Sequence, residues 1–173
     1  MEEGLADIIE LGGIHRAVKG TTPREVLSSL IDSLIGPIPS AGSRTISDKA
    51  ASDWSEKLLE AVLEREALMS TGIGKGLALP HPRNPFAPPE NSGQFAALAF
   101  LEQPVNWHSL DGQKVDTVLL IVSSTAKQHL RALSEINFFC RQDEFYQLLK
   151  KRADKEELFA YIRETEKKWN APK

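Results

Sequence analysis

Two uninterrupted apolar runs, FAALAFLE (95–102) and DTVLLIVS (116–123), limit this chain more than any other feature. Each is short, bounded by turn-forming residues, and apolar at consecutive positions instead of alternate ones, which is the pattern of a strand covered on both faces. Between them QPVNWHSLDGQ carries Asp111-Gly112, a pair suited to a tight turn. Strands of this kind need helices to cover them, and the rest of the chain supplies helical patterns. In TTPREVLSSLIDSLI, Thr22 can cap, Pro23 suits the first helical position, Glu25 completes a capping box, and Val26, Leu27, Leu30, Ile31 and Leu34 form one stripe. SDWSEKLLEAVLEREAL places Trp54, Leu58, Val62 and Leu63 on one side and Arg65 near its end. TAKQHLRALSEINFFCRQ is a helix that Thr125 can cap, with Leu130, Leu133, Ile136 and Phe139 or Cys140 expected inward. DEFYQLLKK and DKEELFAYIRETEKKW add two more, the last opening on Asp154 and Glu157 as a capping box. GGIHRAV (12–18) and GLALP (76–80) read as short strands, while 36–49 and the proline-rich 84–93 read as loops. The expected architecture is α/β, with helices around a central sheet of about four or five strands.

At 173 residues, 41% hydrophobic and 26% charged, the chain suits one domain with a substantial core. Its net charge of −3 gives no general attraction to nucleic acid or to anionic membrane. The single cysteine, Cys140, allows no internal disulfide and is expected to be a buried thiol. The acidic start MEEGLADIIELGG has no basic n-region, and no apolar run reaches membrane-spanning length, so a cytoplasmic location is expected.

STGIGKGLALPHPRNP (70–85) points to chemistry: Gly72, Gly74 and Gly76 alternate ahead of a short apolar segment that ends on His81, held between Pro80 and Pro82. It is not a nucleotide loop, because the position six before Lys75 is Met69 and the residue after the lysine is Gly76. Nor is it a dinucleotide fingerprint, since Leu77 stands where the third glycine belongs and the loop follows a helix. A glycine loop can still turn its N–H groups inward around an anion, and here it would do so beside a histidine. Neutral imidazole attacks phosphorus without needing a base, and the phosphorylated ring then calls for N–H donors and a cation. Arg65, seven residues before Gly72, could supply the cation, and His129, fourth in its helix if Thr125 is the cap, could donate to a phosphoryl oxygen.

The stretch LEREALMSTGIGKGLALPHP resembles the IIA domain of the fructose/mannitol class (type 2) in the phosphoenolpyruvate-dependent phosphotransferase system (PTS). In that family Arg-Glu precedes Ser-Thr-Gly-x-Gly-x-Gly-x-Ala-x-Pro-His. PVNWHSLDGQKVDTVLLIV is similar to the family's paired strands, and HLRALSEI to its second-histidine helix. The resemblance covers residues 5–165 as a single domain, leaving 1–4 and 166–173 as terminal extensions. It implies a mixed sheet of about five strands with helices on both faces. It also implies that His81 accepts the phosphoryl group, that Arg65 stabilises transfer and that His129 is the second active-site histidine, with Gly72, Gly74 and Gly76 binding the phosphoryl group. No cofactor or metal is implied. The implied donor is the phosphocarrier protein (HPr or a nitrogen-branch homologue). The acceptor would be a cysteine of a IIB domain or, in a regulatory branch, a target protein that reads the phosphorylation state. Membrane contact would be peripheral, through a transporter partner only. The Ser-Thr-Gly-Ile-Gly form and the lack of a fused IIB or IIC segment resemble the nitrogen-regulatory subgroup.

Three departures accompany the likeness. Pro82 replaces the family's glycine after the histidine and so removes one backbone donor. Ser123-Ser124 replaces a proline, and the loop at 36–49 is long. Other readings stay open: Arg65 as an ion-pair partner of Glu60 or Glu66, His129 as a helix-terminus residue, and His81 with His108 and His129 as metal ligands. His15 and His108 are expected to be exposed and inert. Pro82, Pro85, Phe86 and Pro88 suggest an apolar rim where a partner could dock.

Overall fold

The computed structural model describes residues 3–35, 48–87 and 93–170. Five strands form one sheet: β1 (Ile14–Val18), β2 (Gly72–Gly74), β3 (Leu77–Ala78), β4 (Gln94–Val105) and β5 (Val115–Ser123). Their order is β1-β4-β5-β3-β2. The sheet is mixed, because β1 runs parallel to β4 and β3 parallel to β5, whereas β4 and β5 are antiparallel, as are β2 and β3.

The two apolar runs are the adjacent central strands β4 and β5, paired from Gln94↔Ser123 to Val105↔Val115. Strand side chains alternate between faces, so each run feeds two cores. Leu98, Phe100, Leu119 and Ile121 enter one, and Ala97, Ala99, Leu101, Val118, Leu120 and Val122 enter the other. The first core is covered by α1 (Leu5–Gly12), α4 (Ala126–Phe139), α5 (Asp143–Lys150) and α6 (Lys155–Trp169), and the second by α2 (Pro23–Leu34) and α3 (Asp48–Leu68). The fold is thus α/β with helices on both faces. Among the described residues no helix is long and apolar enough to cross a membrane.

The capping signals act largely as the sequence predicts. Thr22 Oγ1 accepts from the Glu25 N–H, and all five apolar residues of the α2 stripe are buried. Glu25 itself reaches back one residue further than expected, to the N–H and hydroxyl of Thr21. Thr125 and Gln128 form a full capping box on α4. At α6 Asp154 accepts from the Glu157 N–H, while Glu157 pairs with Lys151. The helix runs on to Trp169, whose ring lies 5.0 Å from that of Phe138.

Several expectations need correction. Leu130 is 65% exposed, and the inward residues of α4 are Ala132, Glu135, Ile136 and Phe139. Counting only in steps of three turns the stripe by about 60° each time, which carries Leu130 to the side opposite Phe139. Trp54 and Leu63 are half-buried, and so is the Cys140 thiol, whose pKa burial pushes up to about 11. His15 is not exposed: its Nε2 and Nδ1 lie 2.8 Å from the Gly12 carbonyl and 3.0 Å from Ser33 Oγ. Helix α1 is an element that capping signals did not announce. The long loop at 36–49 falls mostly on residues 36–47, outside the described residues, as does Pro88.

Candidate active site

Strands β3 and β5 run side by side in the same direction, so whatever follows each of them emerges at the same end of the sheet. After β3 the chain continues through Leu79 and Pro80, still tied to β5 by the bond from the Ile121 N–H to the Pro80 carbonyl, and arrives at His81. After β5 it passes Ser124 and Thr125 into α4, whose fourth residue is His129. The two rings meet there, with centroids 4.9 Å apart and planes inclined by 49°. Arg65, in the last turn of α3, donates from Nη1 to the Met69 carbonyl at 2.9 Å, and its charge acts on both histidines. The three residues separated by 64 positions of sequence thus converge, whereas exposed His108 takes no part in the pair.

The protonation of His81 follows from its surroundings. The ring is buried, and Nδ1 lies 2.7 Å from the Leu79 carbonyl oxygen. A carbonyl only accepts, so Nδ1 carries the hydrogen and Nε2 keeps the lone pair. Burial depresses the pKa of His81 to about 4; the Leu79 bond opposes that shift, and the charges of His129 and Arg65 add to it. His129 is also lowered, by burial first and then by Arg65. At neutral pH the site therefore presents two uncharged imidazoles beside a guanidinium.

The three glycines have other neighbours. Gly72 and Gly74 lie in β2, and a turn with positive φ at Gly74, Lys75 and Gly76 leads into β3. A Cβ on Gly74 would stand 3.0 Å from the Asp111 carboxylate, and one on Gly76 3.1 Å from that of Asp116. The anion that this turn holds is the chain's own: the Lys75 N–H donates to Asp111 Oδ2 at 2.9 Å. That bond and one from the Gln113 N–H lower the Asp111 pKa. Gly72 donates to Ser70 Oγ.

Sequence reasoning missed the network behind His81. Glu66, beside Arg65 at the end of α3, accepts from both the N–H and the hydroxyl of Thr71. Buried Trp107 donates from Nε1 to the same hydroxyl. The Thr71 carbonyl in turn accepts from the Leu79 N–H at 3.0 Å. The only sequence signal was the Arg-Glu and Ser-Thr of the motif, which does not reveal that they bond to each other. Of the described residues of the expected apolar rim, Pro82 is buried and Phe86 is half-buried against Trp54, so only Pro85 is exposed. The exposed apolar side chains next to the site's residues are Leu68 and Met69 beyond Arg65, and Leu130 after His129.

Residues 38–165 match the sequence model of a family described as "Phosphoenolpyruvate-dependent sugar phosphotransferase system, EIIA 2". A "Nitrogen regulatory protein" of Escherichia coli (strain K12) is 33% identical over 126 residues, which are 70% of this chain and 76% of that protein. The "PTS system fructose-specific EIIABC component" of Bacillus subtilis (strain 168) is 29% identical over 80% of this chain but only 20% of its own length. The crystal structure of the nitrogen regulatory protein IIA-Ntr from Neisseria meningitidis superposes with a TM-score of 0.67 at 23% identity, covering 91% of this chain and 97% of that one.

Proposed function

Because this chain belongs to the EIIA 2 family of the phosphoenolpyruvate-dependent sugar phosphotransferase system, we propose that it accepts a phosphoryl group on His81 Nε2 from a phosphocarrier protein and serves in nitrogen regulation. The observation that carries the acceptor assignment is the 2.7 Å contact between His81 Nδ1 and the Leu79 carbonyl, which leaves Nε2 as the ring's nucleophilic atom. In the proposed step Nε2 forms a bond to phosphorus as the bond from phosphorus to the donor imidazole breaks, and that electron pair returns to the donor ring. The Leu79 carbonyl supports the positive charge growing on the His81 ring. Arg65 and His129 face the phosphoryl oxygens, the first as a charged fork and the second as an N–H donor. In this scheme the glycines shape the hairpin that ends at Leu79 and do not touch the phosphoryl group.

The regulatory reading rests on the relatives named nitrogen regulatory proteins, and the fructose-specific EIIABC relative supports the alternative of a component feeding a sugar transporter through a IIB cysteine. A regulator keeps its phosphoryl group and changes partner with charge. Roughly two added negative charges beside Leu68, Met69 and Leu130 would repel an apolar partner that the uncharged site accepts. Phosphorylated protein mixed with the host's IIB domains is expected to retain its label, and pull-downs should recover a target from the unphosphorylated form that the phosphorylated form releases. Rapid transfer to one sugar-specific IIB would replace the regulatory role with transport.

A further inference from the structure

We propose that Glu66 is a positioning residue for His81, acting through Thr71 and the main chain of Leu79 to hold the proton on Nδ1; this rests on His81 being the phosphoryl acceptor. A histidine in water prefers its proton on Nε2, so a site that needs the Nε2 lone pair must reverse that preference with a well-placed acceptor at Nδ1. The acceptor is the Leu79 carbonyl, just past the two-residue strand β3. It is held on both sides, by the Leu79 N–H bonded to the Thr71 carbonyl and by the Pro80 carbonyl bonded to the Ile121 N–H. Strand β5 places the second bond; Thr71 continues the Gly72↔Ala78 register just past the end of β2, so something beyond the terminal rung must hold it in place.

Glu66 does. Its carboxylate takes both the N–H and the hydroxyl of Thr71, and the hydroxyl's lone pair receives Trp107 Nε1, so Thr71 is fixed by a helix and by a buried ring together. A carboxylate in the last turn of a helix opposes the macrodipole, and its two bonds to Thr71 offset that disadvantage. Arg65 precedes it on the same turn, so one helix end both aims the guanidinium and sets the tautomer of the ring that the guanidinium serves.

The test is ring-nitrogen NMR of the unphosphorylated, nitrogen-15-labelled protein at pH 7, with phosphoryl uptake measured alongside. Wild type should show His81 with hydrogen on Nδ1 alone. Glu66→Gln offers an amide N–H to a hydroxyl that needs an acceptor, and Thr71→Val removes the hydroxyl, so both should give a mixture of tautomers. Both should also slow the maximal rate of labelling about tenfold, with KM for the phosphocarrier unaltered. Thr71→Ser should recover the Nδ1–H tautomer. Folded variants that keep the wild-type tautomer overturn the proposal, even if stability falls. If Glu66→Gln does not fold, the contrast between Thr71→Val and Thr71→Ser decides the matter. Failure of the wild type to take up label would defeat the acceptor reading, while the tautomer spectra would still decide the part played by Glu66.

Discussion

At His81 four influences bear on one proton, and burial is the largest. A pKa near 4 against the ordinary 6.5 means that between these values the unfolded chain binds a proton that the folded chain refuses. This histidine therefore makes stability fall as pH drops from about 6.5 to about 4, and above that window its contribution is constant. NMR titration should place the His81 midpoint near 4, and Arg65→Ala should raise it by removing a repelling charge without restoring the ordinary value, since burial is the larger cause. A midpoint near 6.5 in the wild type would mean that the ring is not buried as described. The family motif, more than the histidine's own setting, singled out His81, and the structure places its buried ring against that of His129; its part as acceptor is the proposal. The link between Glu66 and Thr71 was not legible, because their bond crosses the end of a helix, where spacing alone predicts no contact.

At the scale of elements, the legible parts are those with local signals. Strands β4 and β5 announce themselves by unbroken apolarity, and α2 and α4 by Thr caps that the structure uses. Helix α1 has no such signal. Its N-cap is Gly4, and its first N–H groups are satisfied from far along the chain, Leu5 by Glu135 and Ala6 by Glu166. Its other end packs so close to β4 that a Cβ on Gly12 would lie 2.3 Å from the Ala96 carbonyl oxygen. Gly12→Ala must push helix and sheet apart, and it is expected to lower unfolding free energy by about 1–3 kcal/mol in a urea titration. An unchanged midpoint would show that α1 does not press on the sheet there.

At the scale of the whole molecule, the sheet explains why residues as distant as Arg65, His81 and His129 come together. A parallel β3/β5 pair sends two chain segments out at one end, and α3 ends beside them. That convergence was not readable from periodicity, which gives elements but not their order; the family motif supplied it. Under the proposed function, the choice between regulation and sugar transport lies in which protein would meet the exposed Leu68, Met69 and Leu130, a matter of partners more than of this chain's chemistry. The claim beneath both is that one imidazole carries the phosphoryl group. The direct measurement is incorporation of labelled phosphate from phosphoenolpyruvate in the presence of the phosphocarrier protein and its loading enzyme, comparing wild type with His81→Ala. The wild type should take up one acid-labile phosphoryl group per chain and His81→Ala none; equal, stoichiometric labelling of the His81→Ala variant would contradict the account.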